Sequence, residues 1–274
     1  MQPSQLKNVS PQTSPQSFSD LSIVLVNYKT VEVTSITLAL IEEAIDVSQV
    51  PVYVVDNNSN DASLVHLKSL DWIHLIERRP EGPEVGYMAH GRALDLALAE
   101  VKTKYVLLLH TDTFIYDATI IQMMLDALNA DNKIAAIGCL EQVQRTRLET
   151  VWRVSIRACK YYLRRIKVAI GMKTREPRLF YEVYLKSFCT LWNADIIKQH
   201  GLSFAMVDRI PGYEMQDRLP KLGYRFSAIH PRKIFQYLDH IEAGTVAMVN
   251  KYGKEHKRIR NYQAMVDKIH ARKK

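Results

Sequence analysis

Two carboxylates in this chain stand at or just past the end of an apolar run, a placement that can do chemistry. Asp56 ends the run Val50-Pro51-Val52-Tyr53-Val54-Val55 and opens six polar residues in succession, Asp56-Asn57-Asn58-Ser59-Asn60-Asp61. Asp112 follows five consecutive apolar residues, 105–109, from which His110 and Thr111 separate it. An unbroken apolar run of this length reads as a strand buried on both faces. In an open α/β sheet, ligands bind just beyond the carboxyl ends of the strands. A carboxylate there can hold a hard divalent cation, and the cation can hold a diphosphate. Each acid can equally be a turn or helix-cap residue. A further pair, Glu214 and Asp217, is three residues apart and shares one face if helical. It can supply a general base and its partner, or form an exposed acidic first turn.

The elements that must position these residues alternate in type. Strand 21–26 runs into Asn27 and is followed by a helix over 31–45, with Leu38, Ile41 and Ile45 on one face. Strand 50–55 precedes a helix opened by Asp61 and running to about residue 70. A short strand, 72–76, leads to a loop over 81–86 whose two glycines let a backbone approach a ligand closely. A helix over 88–101 buries Ala93, Leu94, Ala97 and Leu98, and strand 105–109 comes next. A helix over 117–130 and a strand over 133–140 complete this part. Such alternation predicts an α/β fold with a mostly parallel sheet and right-handed crossovers. Farther on, 181–192 is strand-like, a short helix after Asn193 is stopped by Gly201, and a strand covers 226–229. A loop through His240 and Gly244 follows.

Charge is concentrated rather than spread. The chain of 274 residues carries a net charge of +8. Residues 145–178 hold eleven Lys/Arg and two acids, Glu149 and Glu176, so this segment is +9 and the remainder −1. Within it, Trp152, Ile156, Cys159, Leu163, Ile166 and Ile170 form an apolar stripe at spacings of three and four. Arg153, Arg157, Lys160, Arg164 and Lys167 form a cationic stripe beside it, giving a basic amphipathic helix over about 151–170. Such a helix either packs its stripe on the sheet and turns its charges to water, or lies on an anionic membrane or a phosphate-bearing acceptor. One basic helix outside any nucleic-acid-binding module does not point to DNA or RNA.

Residues 1–20, rich in Ser, Gln and Pro, read as a disordered leader, and 246–274 as a basic helical tail. No run approaches the ~18 apolar residues of a membrane span. Without an apolar signal core at the start, the expected location is the cytoplasm, with peripheral binding to the inner face of the membrane through the basic helix. Three cysteines, Cys139, Cys159 and Cys189, are far apart and show no zinc spacing, as expected of thiols in a reducing compartment. Neither G-x-G-x-x-G after a strand nor G-x-x-x-x-G-K-[ST] occurs, which excludes two common nucleotide-binding loops.

Several of these stretches, in order, resemble the family 2 glycosyltransferases of GT-A fold. Ser22 to Tyr28 is similar to that family's first strand, and Val54 to Ser63 to its V-V-D-N-x-S-x-D-x-S stretch. Residues 105–113 resemble the strand that ends in the D-x-D motif, 213–224 the acidic motif before a helix ending in Gly-Tyr, and 240–245 the late His-x-x-x-Gly segment. The likeness covers about 21–245, divided into a nucleotide-sugar-binding half, 21–140, and an acceptor-binding half, 141–245. It implies inverting transfer of a hexose or deoxyhexose from a UDP- or dTDP-sugar to a glycan or lipid-linked acceptor in surface polysaccharide assembly, with Mg²⁺ or Mn²⁺ balancing the leaving diphosphate. It also implies metal ligation by Asp112 and His240 and nucleotide-sugar contacts at Asn27, Asp56, Asn58, His90, Arg92, His110 and Thr111. Asp217 is the implied base, with Glu214 as its alternative. Three departures stand out. His110 replaces the first acid of D-x-D, His90-Gly91-Arg92 replaces an Asn-containing helix start, and the acidic motif reads Glu-Met-Gln-Asp. An inactive nucleotide-sugar-binding regulatory module on the same fold is the alternative reading. A nucleotidyltransferase ranks third, because its Gly-rich loop is missing.

Overall fold

Strands of alternating apolar residues build a sheet with a core on each face. In the computed structural model, which describes residues 15–207 and 209–241 together with Ala264 and Asp267, seven strands lie in the order β3-β2-β1-β4-β7-β6-β8. They are β1 (Leu21–Asn27), β2 (Val52–Asn57), β3 (Ile73–Arg78), β4 (Tyr105–His110), β6 (Ile134–Cys139), β7 (Lys186–Asn193) and β8 (Arg225–Ala228). β1 to β4 run parallel and β8 parallels β6, while β7 is antiparallel to both β4 and β6. Two further strands, β5 (Thr113–Ile115) and β9 (Leu238–His240), form a small antiparallel sheet of their own.

Period-two alternation sorts the strand residues between the two faces. Leu21, Ile23 and Leu25 of β1, Val52 and Val54 of β2, and Leu107 and Leu109 of β4 share one core with Leu38 and Ile41 of α1 (Val31–Ala44), Leu67 of α2 (Ala62–Lys68) and Met124 and Leu128 of α4 (Thr119–Ala130). Val24, Val55, Val106 and Leu108 point to the other face, against Ala93, Leu94 and Ala97 of α3 (Gly86–Glu100). The same cluster takes in Ile197 of α6 (Ala194–Gln199) and Met215 of α7 (Tyr213–Arg218). Between the halves stands α5 (Arg147–Ala169), opened by a Thr146–Glu149 capping box, and α8 (Pro231–Ile234) precedes β9.

Several expectations change. The residues before Leu21 are not all loose: Phe18 is buried in the core, and Gln16 exchanges backbone hydrogen bonds with Ala44 and Asp46. Residues 1–14 and, apart from Ala264 and Asp267, the tail 246–274 lie outside the described residues, as do Gly244 and Thr245. The strand expected over 181–192 begins at Lys186, and the expected loop through His240 contains α8 and β9. The helix after β5 begins at Thr119, whose N–H donates to Asp117 Oδ1 at 2.8 Å. Asp112 therefore caps no helix.

The β6–β7 seam is tight. A Cβ at Gly138 would meet Thr190 Oγ1 at 2.6 Å and Cys189 O at 3.2 Å. The Thr190 hydroxyl cannot swing away freely, since it donates to Lys186 O at 2.5 Å. Gly138→Ala is expected to destabilise the fold by about 1–3 kcal/mol. Urea unfolding measures this, and an unchanged midpoint would show the seam to be looser than described.

Candidate active site

The register of the parallel strands decides where the chemistry sits. Asn27 is paired with Asp56, Val26 with His110, and Asn57 with Arg78, so β3, β2, β1 and β4 end at one rim of the sheet. Asp56 and Asp112, 56 residues apart in the chain, thus meet the same cleft edge.

At the β1–β2 end a buried polar network closes the rim. Asn27 Nδ2 lies 2.8 Å from Asp56 Oδ1, 2.9 Å from Ser63 Oγ and 3.1 Å from Ser59 Oγ. Its Oδ1 accepts from Thr34 at 2.9 Å and from Thr30 at 3.3 Å. Asp56 Oδ2 accepts from the Ser59 N–H at 3.0 Å. Asn27 is therefore a strut with both ends of its amide engaged, rather than a free ligand contact. Asp56, with one bond at each oxygen, keeps lone pairs for another donor. Asn58 is exposed, has φ of 64°, and accepts from Asn60 Nδ2 at 2.8 Å. That left-handed bend suits Asn.

At the β3 end stands a residue that sequence reasoning missed. Arg78 donates to Asn57 Oδ1 at 2.7 Å and grips both oxygens of Glu84 at 2.6 Å. Arg92 also pairs with Glu84. The hydrogen bonds from Arg78 in particular hold the Glu84 carboxyl below the usual carboxylate range. Arg78, Glu84 and Arg92, with the loop from Arg79 to Pro83, line a cavity of about 330 Å³. The signal that could have found Arg78 was its polar neighbour Glu77, since both extend the short run 73–76 to the same rim.

At the β4 end three residues converge. His110, Asp112 and His240 each present a ligand atom within 4.8 Å of the others. His240 Nε2 is 3.4 Å and His110 Nδ1 is 3.8 Å from Asp112 Oδ1. The far nitrogen of each ring is already held: His240 Nδ1 lies 2.9 Å from Gln142 O, and His110 Nε2 lies 2.9 Å from Ser187 Oγ. Such outer contacts fix the ring and leave the near nitrogen to a metal. The pairing of Thr113 with His240 between β5 and β9, and an Ile241 N–H bond to Asp112 O, bring His240 here. Phe188 stacks on its ring at 4.6 Å.

The electrostatics match this role. Burial would raise the Asp112 carboxyl, but His240 and then His110 outweigh it and hold the group below its ordinary value. Burial pushes His110 down to about 3 and His90 to about 4, so both are neutral near pH 7. The His90 ring meets His110 edge-on at 5.4 Å. Among the described residues its buried Nε2 has no hydrogen-bond partner, and that of His240 has the 3.4 Å approach to Asp112 Oδ1. Atoms bound to one ion at about 2.1 Å stand roughly 3–4 Å apart, so the three donors fit a divalent ion with little movement. Thr111 is buried, and its carbonyl accepts from Thr37 at 2.6 Å. That makes it a structural tie to α1.

The acidic pair lies on α7, and the start of β7 connects it to this centre. Ser187 touches His110, while Lys186 Nζ donates to Tyr213 OH on α7 at 2.9 Å. Glu214 and Asp217 do share one face, and Arg209 bridges them at 3.0 Å and 2.5 Å. Arg218 takes the other oxygen of Glu214 at 2.8 Å, and the Tyr184 hydroxyl donates to Asp217 at 3.0 Å. The Arg218 and Arg209 bonds hold Glu214 below the usual carboxylate range. Tyr184, Lys186 and Arg209 were also missed, because their stretch reads as strand or loop and only packing brings them together.

The sheet order and the site at its rim define the class, a GT-A nucleotide-sugar transferase fold. Glycosyl transferase family 2 matches residues 22–188, and the chain belongs to that family. No curated protein sequence matches it. Among solved structures it resembles a mannosyltransferase, PcManGT, from Pyrobaculum calidifontis in complex with GDP-Man and Mn²⁺, at TM-score 0.53 and 16% identity, over 81% of this chain and 57% of that one. S. aureus TarS 1-349 matches at TM-score 0.45 and 13% identity, over 69% of this chain and 51% of that one. Glucosyl-3-phosphoglycerate synthase from Mycobacterium tuberculosis, with Mn²⁺ and UDP-Glc, matches at TM-score 0.43 and 15% identity, over 77% and 68%. The chain thus spans little more than half the length of the first two.

Two outcomes test the site's architecture. Asn27→Ala removes one hydrogen bond from Asp56 and one from each of four hydroxyls in a buried network, and should cost about 1–3 kcal/mol in urea unfolding. A neutral result would mean the amide is no strut. Glu182 accepts from Arg153, Arg157 and Lys186, and Lys186 in turn donates to Tyr213 of α7. Burial would raise the Glu182 carboxyl, yet Lys186 and Arg157 lower it from 4.5 to about 2. A carboxyl depressed on folding stabilises fully above its ordinary value, and that contribution is lost as pH falls toward the folded value. The difference in melting temperature between wild type and Glu182→Gln should therefore be flat from pH 8 to about 5 and shrink below it. A difference that instead grows on acidification would reverse the assignment.

Proposed function

We propose that the cleft transfers a sugar from a nucleoside-diphosphate donor, of the UDP- or dTDP-linked kind, to a hydroxyl of a glycan or lipid-linked acceptor, with inversion. Its setting in this reading is surface polysaccharide assembly. The observation that carries the proposal is the convergence of Asp56, the Arg78 cavity and the His110–Asp112–His240 cluster along one rim of a family 2 fold.

In this reading Asp56 accepts from the donor's base or ribose, and Arg78 and Arg92 set the charge of the adjoining cavity. His110, Asp112 and His240 would hold the metal ion, which when bound would neutralise charge on the leaving diphosphate. Two imidazole nitrogens beside one carboxylate favour Mn²⁺ over Mg²⁺, since Mg²⁺ prefers all-oxygen octahedral surroundings. Asp217 takes the acceptor's proton as the acceptor oxygen forms its bond to the anomeric carbon. The bond from that carbon to the diphosphate oxygen breaks on the opposite side. Asp217 suits this role better than Glu214, whose two oxygens each meet a different arginine, whereas Asp217 meets one arginine and a hydroxyl. Tyr184 and Arg209 orient it.

Calorimetry with Mn²⁺ and then a nucleoside diphosphate is the first check. Mn²⁺ should bind at least about tenfold tighter than Mg²⁺, and Asp112→Ala should abolish metal-dependent nucleotide binding. Nucleotide affinity indifferent to metal and to Asp112 would sink the cluster's role. With UDP-, dTDP- and GDP-sugars as donors, Asp217→Asn should leave donor binding intact and lower transfer about 10²-fold or more. Full transfer by that variant would move the base elsewhere. Donor binding without either transfer or hydrolysis would favour the regulatory alternative.

A further inference from the structure

Helix α5 is mounted the opposite way round from an ordinary surface helix. In all its 23 residues no side chain is buried. What fastens it to the body is its charged side. Arg153 reaches Glu141 at 2.6 Å and Glu182 at 2.9 Å, and Arg157 reaches Glu182 at 2.8 Å. The partly covered residues, Arg153, Val154, Arg157, Ala158, Tyr161 and Arg164, follow one side of the helix. The apolar stripe follows the other and faces water: Leu148 is 83% exposed, Trp152 71%, Leu163 52%, Ile166 58% and Ile170 66%. Packing of the stripe on the sheet, one of the two roles open from sequence, is thus ruled out.

At 100° per residue, exposed Lys160 and Lys167 border the stripe on one flank, while on the other exposed Val151 and Tyr162 widen the apolar face before exposed Arg147 and Arg165 are reached. An apolar face between rows of long cations is the profile of a helix that lies in a bilayer interface, its aliphatic stems reaching down and its charges at headgroup level. Trp152 and Tyr162, both exposed on this side, suit the same boundary. At about 1.5 Å per residue the helix offers a strip roughly 35 Å long.

Charge selects the occupant. A second copy would bring a segment of +9 against another of +9. The chain's own residues 246–274 hold nine Lys/Arg against Glu255 and Asp267, again the same sign. Anionic headgroups carry the opposite sign, and each cation near such a surface adds to binding. We propose that the outward face of α5 docks the protein in the plane of an anionic lipid bilayer. Glu182, which anchors the helix, also holds Lys186, and Lys186 reaches Tyr213 of α7. Docking would therefore set the acidic pair close to the membrane, where a lipid-linked acceptor presents its hydroxyl. That consequence rests on the sugar-transfer reading; the docking itself does not.

The test uses the full chain and no nucleotide sugar, so its failure would leave the sugar-transfer reading standing. Protein is cosedimented with vesicles of phosphatidylcholine alone, or of phosphatidylcholine with phosphatidylglycerol, at low and raised salt. Two double variants accompany it: Leu163→Glu with Ile166→Glu in the stripe, and Lys160→Ala with Lys167→Ala on the flank. All four positions are exposed and outside the Arg153 and Arg157 ion pairs, so circular dichroism and melting temperature should match wild type. The expected result is binding to the anionic vesicles that falls with salt, reduced about tenfold or more by the stripe variant and about tenfold by the flank variant. Wild type that stays in the supernatant overturns the proposal. So does a stripe variant that binds like wild type, which would place binding elsewhere in the chain. A lipid-free dimer that the stripe variant disperses, with no vesicle binding, overturns it in favour of a second copy.

Discussion

One buried amide holds the rim of this sheet together. Parallel strands in register end side by side, but nothing in the ladder itself ties their last residues to the loops beyond. Asn27 does so. Its Nδ2 binds the carboxylate and two hydroxyls that follow β2, and its Oδ1 binds two threonines that begin α1. Because the network is buried, each of these groups would cost more unpaired than it gains paired. That asymmetry fixes the turn after β2, including the left-handed Asn58 and Asn60, and with it the direction of Asp56.

The other half of the site is assembled by a different means. Asp112 lies just past the end of β4, but one of its two histidine partners comes from residue 240, more than a hundred residues on. The link is the short β5–β9 ladder, in which Thr113 pairs with His240, backed by Phe188 stacking on the imidazole. Burial keeps His90 and His110 neutral near pH 7, so neither adds a positive charge around Asp112. An unpaired buried nitrogen is ordinarily a cost. Among the described residues the His90 Nε2 is such a nitrogen, and the His240 Nε2, 3.4 Å from Asp112 Oδ1, is the one that a bound ion would take up.

What could be read from the chain beforehand follows from the range of each interaction. Strand and helix alternation, the inward faces of α1, α3 and α4, and the carboxylates at the end of β2 and just past β4 are written in local patterns of period two or 3.6. The β5–β9 pairing and the Arg209 bridge between Glu214 and Asp217 are contacts between distant segments, and no local pattern announces them. Arg78 escaped for a narrower reason: β3 keeps its ladder to β2 through Glu77 and Arg78 although its apolar run has ended. Phe18 was lost among Ser, Gln and Pro, yet its ring is buried in the core and backbone bonds of Gln16 to Ala44 and Asp46 tie the segment down. Asn27, expected as a nucleotide-sugar contact, has both ends of its amide bonded within the protein and supports Asp56.

Helix α5 shows where periodicity stops being informative. The spacing of Trp152, Ile156, Leu163 and Ile166 fixes which residues share a face, but a stripe carries no label for inside or outside. The decision lies with Glu141 and Glu182, two carboxylates outside the helix. An Arg–carboxylate bond is directional and short-ranged, so three of them on one side set the rotation of the whole rod and leave the apolar side no route to the core. The same Glu182 holds Lys186 beside the acidic pair. A single carboxylate thus couples the orientation of the exposed apolar strip to the position of the catalytic candidates, and the cleft cannot turn away from whatever surface the strip meets without breaking that joint.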